Sequence, residues 1–248
     1  MNDHDLYIYA FTDQPLHTPV DGLANGTVET LGAGNVFAAV SELPPGRLRP
    51  QRRHLAAHQR VLTHLAQSAT TLPVAFGMVA SPAELGAVLE DHSTAISDQL
   101  ANVAGCVEIT VTLRWDVDDV FAHLVELDDE LCGRRDQLVE LGEGAPHELK
   151  VSIGRRVEAV LAGERHAHAM QLRDLLSACA RDSAELDPTE ESSLATVVLL
   201  IERDRIAAFD QALESAASEF GDHYALQVSG PFAPHHFVEL DLGIHAAA

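Results

Sequence analysis

A chain of 248 residues, 46% of them hydrophobic, is long enough for two small domains and too apolar for disorder. With 38 acidic and 16 basic residues its formal net charge is −22, which argues against nucleic acid or a lipid membrane as a partner, since both attract cationic surfaces. No apolar run reaches the roughly 18 residues of a membrane span, the first residues lack a signal peptide's pattern, and a cytoplasmic protein is expected.

Residues 6–11 (LYIYAF) form a compact aromatic run that reads as a first strand. A Gly-rich connection follows, with a short strand at 27–31 and another at 36–40 (VFAAV), closed by Pro44-Pro45-Gly46. Helical spacing then places Leu55, Val61, Leu62 and Leu65 on one face. The stretch Leu72-Pro73-Val74-Ala75-Phe76-Gly77-Met78-Val79 is apolar enough to be buried. Pro73 and Gly77 nevertheless bar it from an ordinary central strand or helix, and Phe76 is expected between the flanking helices. Ser81-Pro82-Ala83-Glu84 combines a cap, a first-turn proline and a capping-box glutamate, so one helix is expected through Leu100.

Val107, Ile109, Val111, Leu113 and Trp115 alternate with Glu108, Thr110, Thr112 and Arg114, the pattern of a half-buried strand. Asp116 is placed to cap an acidic helix over 117–141, and a long helix runs from His147 to about Arg181. After a cap-like junction, Asp187-Pro188-Thr189-Glu190, comes a buried strand at 194–201, then a helix with Ile206, Phe209, Leu213 and Phe220 on one face. A last strand at 224–228 precedes an irregular tail opened by Gly230-Pro231-Phe232. The fold class is α+β. Two domains are expected, 1–104 and 105–229, with 230–248 as a tail packing between them.

Chemistry-bearing residues are plentiful, but none forms a catalytic pattern. His54 and His58 have metal-binding spacing without a third ligand or a metalloprotease glutamate, and His166/His168 and His235/His236 are equally bare. Asp116, Asp118, Asp119, Asp128, Asp129 and Glu130 read as a solvated helix face. Cys106, Cys132 and Cys179 have neither zinc nor disulfide-framework spacing. No phosphate-binding glycine motif or nucleophile elbow is found, so no metal, cofactor or enzymatic activity is expected. One cluster departs from the acidic background. Arg47, Arg49, Arg52 and Arg53 fall in a stretch with no acidic residue, and are the candidate partner-binding residues. Internal neutralisation of the acidic helices is the competing account.

The order of these features resembles the GvpL/GvpF family of gas vesicle proteins, minor components of gas-filled protein organelles. The matching residues are Leu6-Tyr7-Ile8-Tyr9, the helix with His58 and Val61-Leu62, the segment from Leu72 to Val79, Trp115-Asp116, the apolar strand before Arg203, and Gly230-Pro231-Phe232-Ala233-Pro234-His235-His236-Phe237. The chain departs from the family at Ala75, usually Arg or Lys, at Met78, usually Thr, at Phe232, often Trp, and near His235 and His236, where Tyr is usual. The resemblance implies a C-terminal domain with a modified ferredoxin-like fold carrying a long helical insertion. It also implies a non-enzymatic accessory protein of the gas vesicle and cytoplasm. Its partners would be the major shell protein, or the nucleation complex, and other accessory proteins, and its task would be to limit shell-protein aggregation. The alternative is a small-molecule-binding or regulatory ferredoxin-like module, and the weakest reading is a metal enzyme built on His54 and His58.

Overall fold

The computed structural model describes residues 5–188 and 190–246. In chain order its elements are β1 (Leu6–Thr12), β2 (Glu29–Ala33), β3 (Val36–Glu42), α1 (Arg52–Ala66), β4 (Thr71–Pro73), β5 (Met78–Ala80), α2 (Pro82–Asp91) and α3 (Ser93–Val103). There follow β6 (Cys106–Trp115), α4 (Val120–Leu127), α5 (Asp129–Leu141), α6 (His147–Ser177), β7 (Asp182–Leu186), β8 (Ser193–Glu202), α7 (Ile206–Phe220), β9 (Tyr224–Phe232) and β10 (His245–Ala246). The chain divides into two compact units, Met1–Glu108 with Gly230–Ala248, and Ile109–Ser229. This grouping differs from the sequence-based division by placing residues 230–248 with the first unit.

In the first unit the sheet runs β10-β5-β1-β3-β2, with β4 also paired to β1. Every residue of β1 after Leu6 is buried, so this strand is covered on both faces. A register shift between Ile8 and Ala10 makes Tyr9 the extra residue opposite β3, and its carbonyl instead accepts the Val74 N–H at 2.9 Å. The segment from Leu72 to Val79 therefore becomes two short strands beside β1, broken at residues 74–77. Pro73 is tolerated because β4 pairs on one side only. At the break Gly77 takes φ +98°, which a side chain would strain. The capping box at Ser81 and Glu84 forms as the sequence predicts. The single helix expected through Leu100 instead breaks at His92, whose φ of −107° and ψ of 9° separate α2 from α3.

In the second unit the sheet order is β7-β8-β6-β9. β8 is buried along nearly its whole length, as its β-branched composition predicts. The acidic helix expected over 117–141 is two helices. Asp119, not Asp116, caps the first through Ala122 N–H at 3.0 Å, and Asp128 caps the second through Leu131 N–H at 2.7 Å. Asp128 has extended backbone angles, so the helix cannot run through it. The long helix ends at Ser177 and leaves room for the edge strand β7, whose sequence DSAEL carries no strand pattern. β9 runs on through Pro231 to Phe232, where an irregular tail was expected. Of the junction Asp187-Pro188-Thr189-Glu190, Thr189 lies outside the described residues.

Close approach fixes two glycines in the first unit. A Cβ on Gly22 would lie 2.2 Å from the Tyr9 Oη, and one on Gly32 would lie 2.5 Å from the Phe37 ring, its cross-strand partner. The Tyr9 hydroxyl is pinned by Leu23 N–H at 2.7 Å and Ser41 Oγ at 2.9 Å, so it has nowhere to go. Phe37 is half-buried and opposes the edge strand, so its ring has room to swing. Gly22→Ala is expected to cost about 1–3 kcal/mol by chemical denaturation, and Gly32→Ala clearly less. Equal losses would mean that the Tyr9 hydroxyl is not held as described.

Candidate functional site

The segment from Leu72 to Val79 is held by a buried knot of rings. Tyr7 and Tyr9 on β1 share one core with Ala57, Val61, Leu62 and Leu65 of α1. His58 lies on the same helical face as Val61, Leu62 and Leu65, at spacings of three, four and seven. Its Nδ1 is 2.8 Å from the Tyr7 hydroxyl, and the Gly77 N–H donates to that hydroxyl at 3.3 Å. With its oxygen accepting from Gly77, Tyr7 is free to donate to His58, which is then the neutral tautomer with its proton on Nε2. Burial pulls the His58 pKa down to about 4, reinforced by repulsion from His235 and opposed by the neighbouring Val74 backbone. Burial also raises both tyrosines above their ordinary range.

Phe76 completes the knot. Its ring centroid is 5.9 Å from those of both Tyr7 and His58. It is half-buried against the α1 side of the core rather than enclosed between two helices, as the sequence had predicted. Ala75, where the resembled family usually has a basic residue, is exposed at the tip of the break. Leu55 corrects another expectation: it is 43% exposed, and His58 occupies the apolar face in its place.

The four candidate arginines lie together in sequence and all are exposed. Arg47 and Arg49 precede α1, while Arg52 and Arg53 open it. Among the described residues none of the four takes part in an ion pair. No acidic residue occupies the first turn of α1, so Arg52 and Arg53 set positive charge against the positive end of the helix. This placement works against the helix and needs another reason.

Several of the remaining sequence candidates have structural partners. His54 Nδ1 meets the Arg49 carbonyl at 3.0 Å, and His64 Nε2 the Thr18 carbonyl at 3.1 Å. Asp119 and Asp128 are helix caps. Arg156 donates to both oxygens of Asp128 and reaches Glu130 at 3.2 Å, tying α5 to α6 and holding the Asp128 carboxyl below its ordinary range. Cys132 and Cys179 are free thiols, and the Cys106 thiol donates to the Ala104 carbonyl at 3.6 Å.

Sequence reasoning gave no signal for Glu108. On a half-buried strand it belongs to the polar face, yet it is 2% exposed and accepts from both the backbone N–H and Nδ1 of His236, each at 2.8 Å. Beyond this clasp the tail crosses the first unit's sheet. With Phe11, Leu72, Val74 and Met78 it borders a partly open cleft of about 350 Å³ whose walls are of mixed polarity. Among the described residues, no helix is long and apolar enough to cross a membrane.

Comparison with known proteins places this architecture. The family model described as "Gas vesicle synthesis protein GvpL/GvpF" matches residues 5–239. The chain is 32% identical over 215 residues to gas vesicle protein F of Streptomyces sp. (strain CB03234), covering 86% of this chain and 88% of that one. It is 24% identical over 241 residues to gas vesicle protein F of Nostoc sp. (strain PCC 7120 / SAG 25.82 / UTEX 2576), covering 95% and 98%. Among solved structures it is similar to gas vesicle protein GvpF from Anabaena sp. PCC7120, with a TM-score of 0.82 at 22% identity, covering 96% of this chain and 99% of that one. GvpF from Microcystis aeruginosa gives a TM-score of 0.78 at 23% identity, covering 95% and 99%. At these identities the structural likeness shows the fold.

Two outcomes test the knot. His58 binds a proton less readily folded than unfolded, so its contribution is complete above its ordinary pKa of 6.5 and is lost as pH falls toward about 4. Between pH 7.5 and 5.5 the parent is expected to lose roughly 1.4 kcal/mol more stability than His58→Gln. Parallel pH profiles would show that His58 is solvated. Phe76→Ala is expected to cost about 1–3 kcal/mol, below the range for a fully buried ring. An unchanged melting curve would place Phe76 outside the core.

Proposed function

The chain belongs to the gas vesicle synthesis protein GvpL/GvpF family, with a role in gas vesicle formation, and we propose that within it this protein binds the hydrophobic shell subunit or its nucleation complex. Bound to this acidic chain, the client is kept from unproductive aggregation until it is incorporated. The role is assembly rather than catalysis, carried out in the cytoplasm and at the gas vesicle with other accessory proteins as neighbours. The second unit reads as a modified ferredoxin-like fold. What supports this is a β-α-β-β-α-β order in which α4–α6 form the enlarged first crossover and α7 the second.

The observation that carries the client reading is an apolar surface on a chain of net charge −22. Among the described residues, six of the ten exposed large hydrophobic side chains lie on α4–α6, among them Phe121, Leu127 and Val139, the last 72% exposed. So strongly charged a protein needs no such residues for its own solubility, and exposed apolar groups of this kind suit an apolar partner. The arginines at the start of α1, which form no ion pair among the described residues, supply a second attraction, toward an acidic patch on the client or on a neighbouring accessory protein. The domains expected from sequence, 1–104 and 105–229, would then each contribute one kind of contact.

Co-expression of a tagged chain with the shell protein tests both parts. The shell protein is expected to stay soluble and co-purify. Reversal of Arg47, Arg49, Arg52 and Arg53 to Glu should lower capture at low salt by about fivefold, with an unchanged circular dichroism spectrum. Failure of the parent to retain any shell protein would overturn the client reading. Full capture by the reversed variant would remove only the arginines from it.

A further inference from the structure

We propose that the end of the tail is an exchangeable strap, and that the groove beneath it is a docking site for an extended segment of the apolar client. That segment would carry Leu, Ile or Val at alternate positions. The inference rests on the client reading above and names where a strand of that client would sit.

The tail is fastened unevenly. At its near end Ala233 and Pro234 are buried, and His236 is clasped twice by the buried carboxylate of Glu108. A carboxylate taken out of water is held firmly by two such donors. Toward its far end, among the described residues, His245 and Ala246 pair with the sheet, opposite Val79 and Met78. Among the described residues, no backbone hydrogen bond joins residues 238–244 to the sheet. The strap is thus hinged at Glu108 and lightly latched at β5.

Its side chains show what the groove accepts. Val238, Leu240, Leu242 and Ile244 are half-buried, while Glu239, Asp241 and Gly243 between them are exposed. This is the period-2 pattern of a strand with one apolar face. The strap fills its groove poorly, because the cleft of about 350 Å³ remains between it and Phe11, Leu72, Val74 and Met78. Protein interiors are close-packed, and space left beside aliphatic side chains forfeits dispersion contacts. A segment with the same alternation and bulkier or better-seated side chains gains those contacts and takes over the β5 edge that His245 and Ala246 otherwise pair. It must also compete with a tethered strap whose effective concentration is millimolar. That competition confines occupancy to clients presented at high local concentration, as at the growing edge of an assembly.

The test uses the full chain and a labelled peptide with the sequence of residues 237–246 as probe. Fluorescence anisotropy would compare the parent with Leu240→Asp/Leu242→Asp, in which the strap is released. Release is expected to tighten peptide binding by about tenfold, because the tethered competitor is gone. A peptide with Ser in place of Leu240, Leu242 and Ile244 should bind neither protein. Adding Met78→Glu to the released variant should abolish binding of the first peptide. Equal binding to parent and released variant, or binding to neither, overturns the proposal. So does loss of cooperative melting on release, which would make the strap part of the core. Capture of the shell protein without peptide binding overturns the groove and leaves the client reading standing. Peptide binding without shell capture overturns the client as its occupant.

Discussion

A buried neutral imidazole hydrogen-bonded to a tyrosine hydroxyl organises the first unit. His58 accepts the Tyr7 hydroxyl proton only while its Nδ1 is unprotonated. Protonation would turn that acceptor into a donor, at a site where burial already disfavours the charge. Helix α1 is positioned over β1, the break between β4 and β5 is fixed in register, and Phe76 finds two ring edges to pack on. The second tyrosine repeats the logic, with Leu23 N–H and Ser41 Oγ satisfying the Tyr9 hydroxyl in the same core. Buried polar groups here are satisfied as a network, which rigidifies the core they sit in.

The second unit is organised by carboxylates instead. Asp119 and Asp128 each end one backbone direction and begin a helix, and Arg156 gathers Asp128 and Glu130 against α6. Short helices joined at capping residues turn the chain sharply without exposing unpaired N–H groups. The helical layer so built leaves Phe121, Leu127 and Val139 in water, while the sheet's interior, from Val107 to Leu113 and along β8, is dry. Stability therefore resides in the sheet and the inner helix faces, and the outer faces are free to serve a partner.

Charge and tail complete the picture. The −22 net charge is the excess of 38 acidic over 16 basic residues, so no ion pair within the chain can remove it. Such a surface keeps copies of the chain apart in water. The clasp between Glu108 and His236 ties the tail to β6, so the first unit includes residues more than a hundred positions apart in the chain.

By itself the sequence determined which segments are strands and helices wherever a period was strong. Residues 6–11, 36–40, 107–115 and 194–201 appear as read, and so does the capping box at Ser81. The ordered set of motifs was enough to place the chain in its family. It also held the signal for His58, three residues before Val61 and seven before Leu65, although Leu55 looked the more natural occupant of that face. Tertiary structure alone decided the rest. The breaks at His92 and Asp128 carry no proline or glycine, and only packing against other elements selects a turn over another helical residue there. DSAEL is a strand because β8 offers it a ladder, not because its own side chains ask for one. Glu108 is buried because His236, 128 residues away, supplies the two donors its charge requires. Local pattern reports which face of an element is apolar, whereas the partner that satisfies a buried polar group is chosen by the fold.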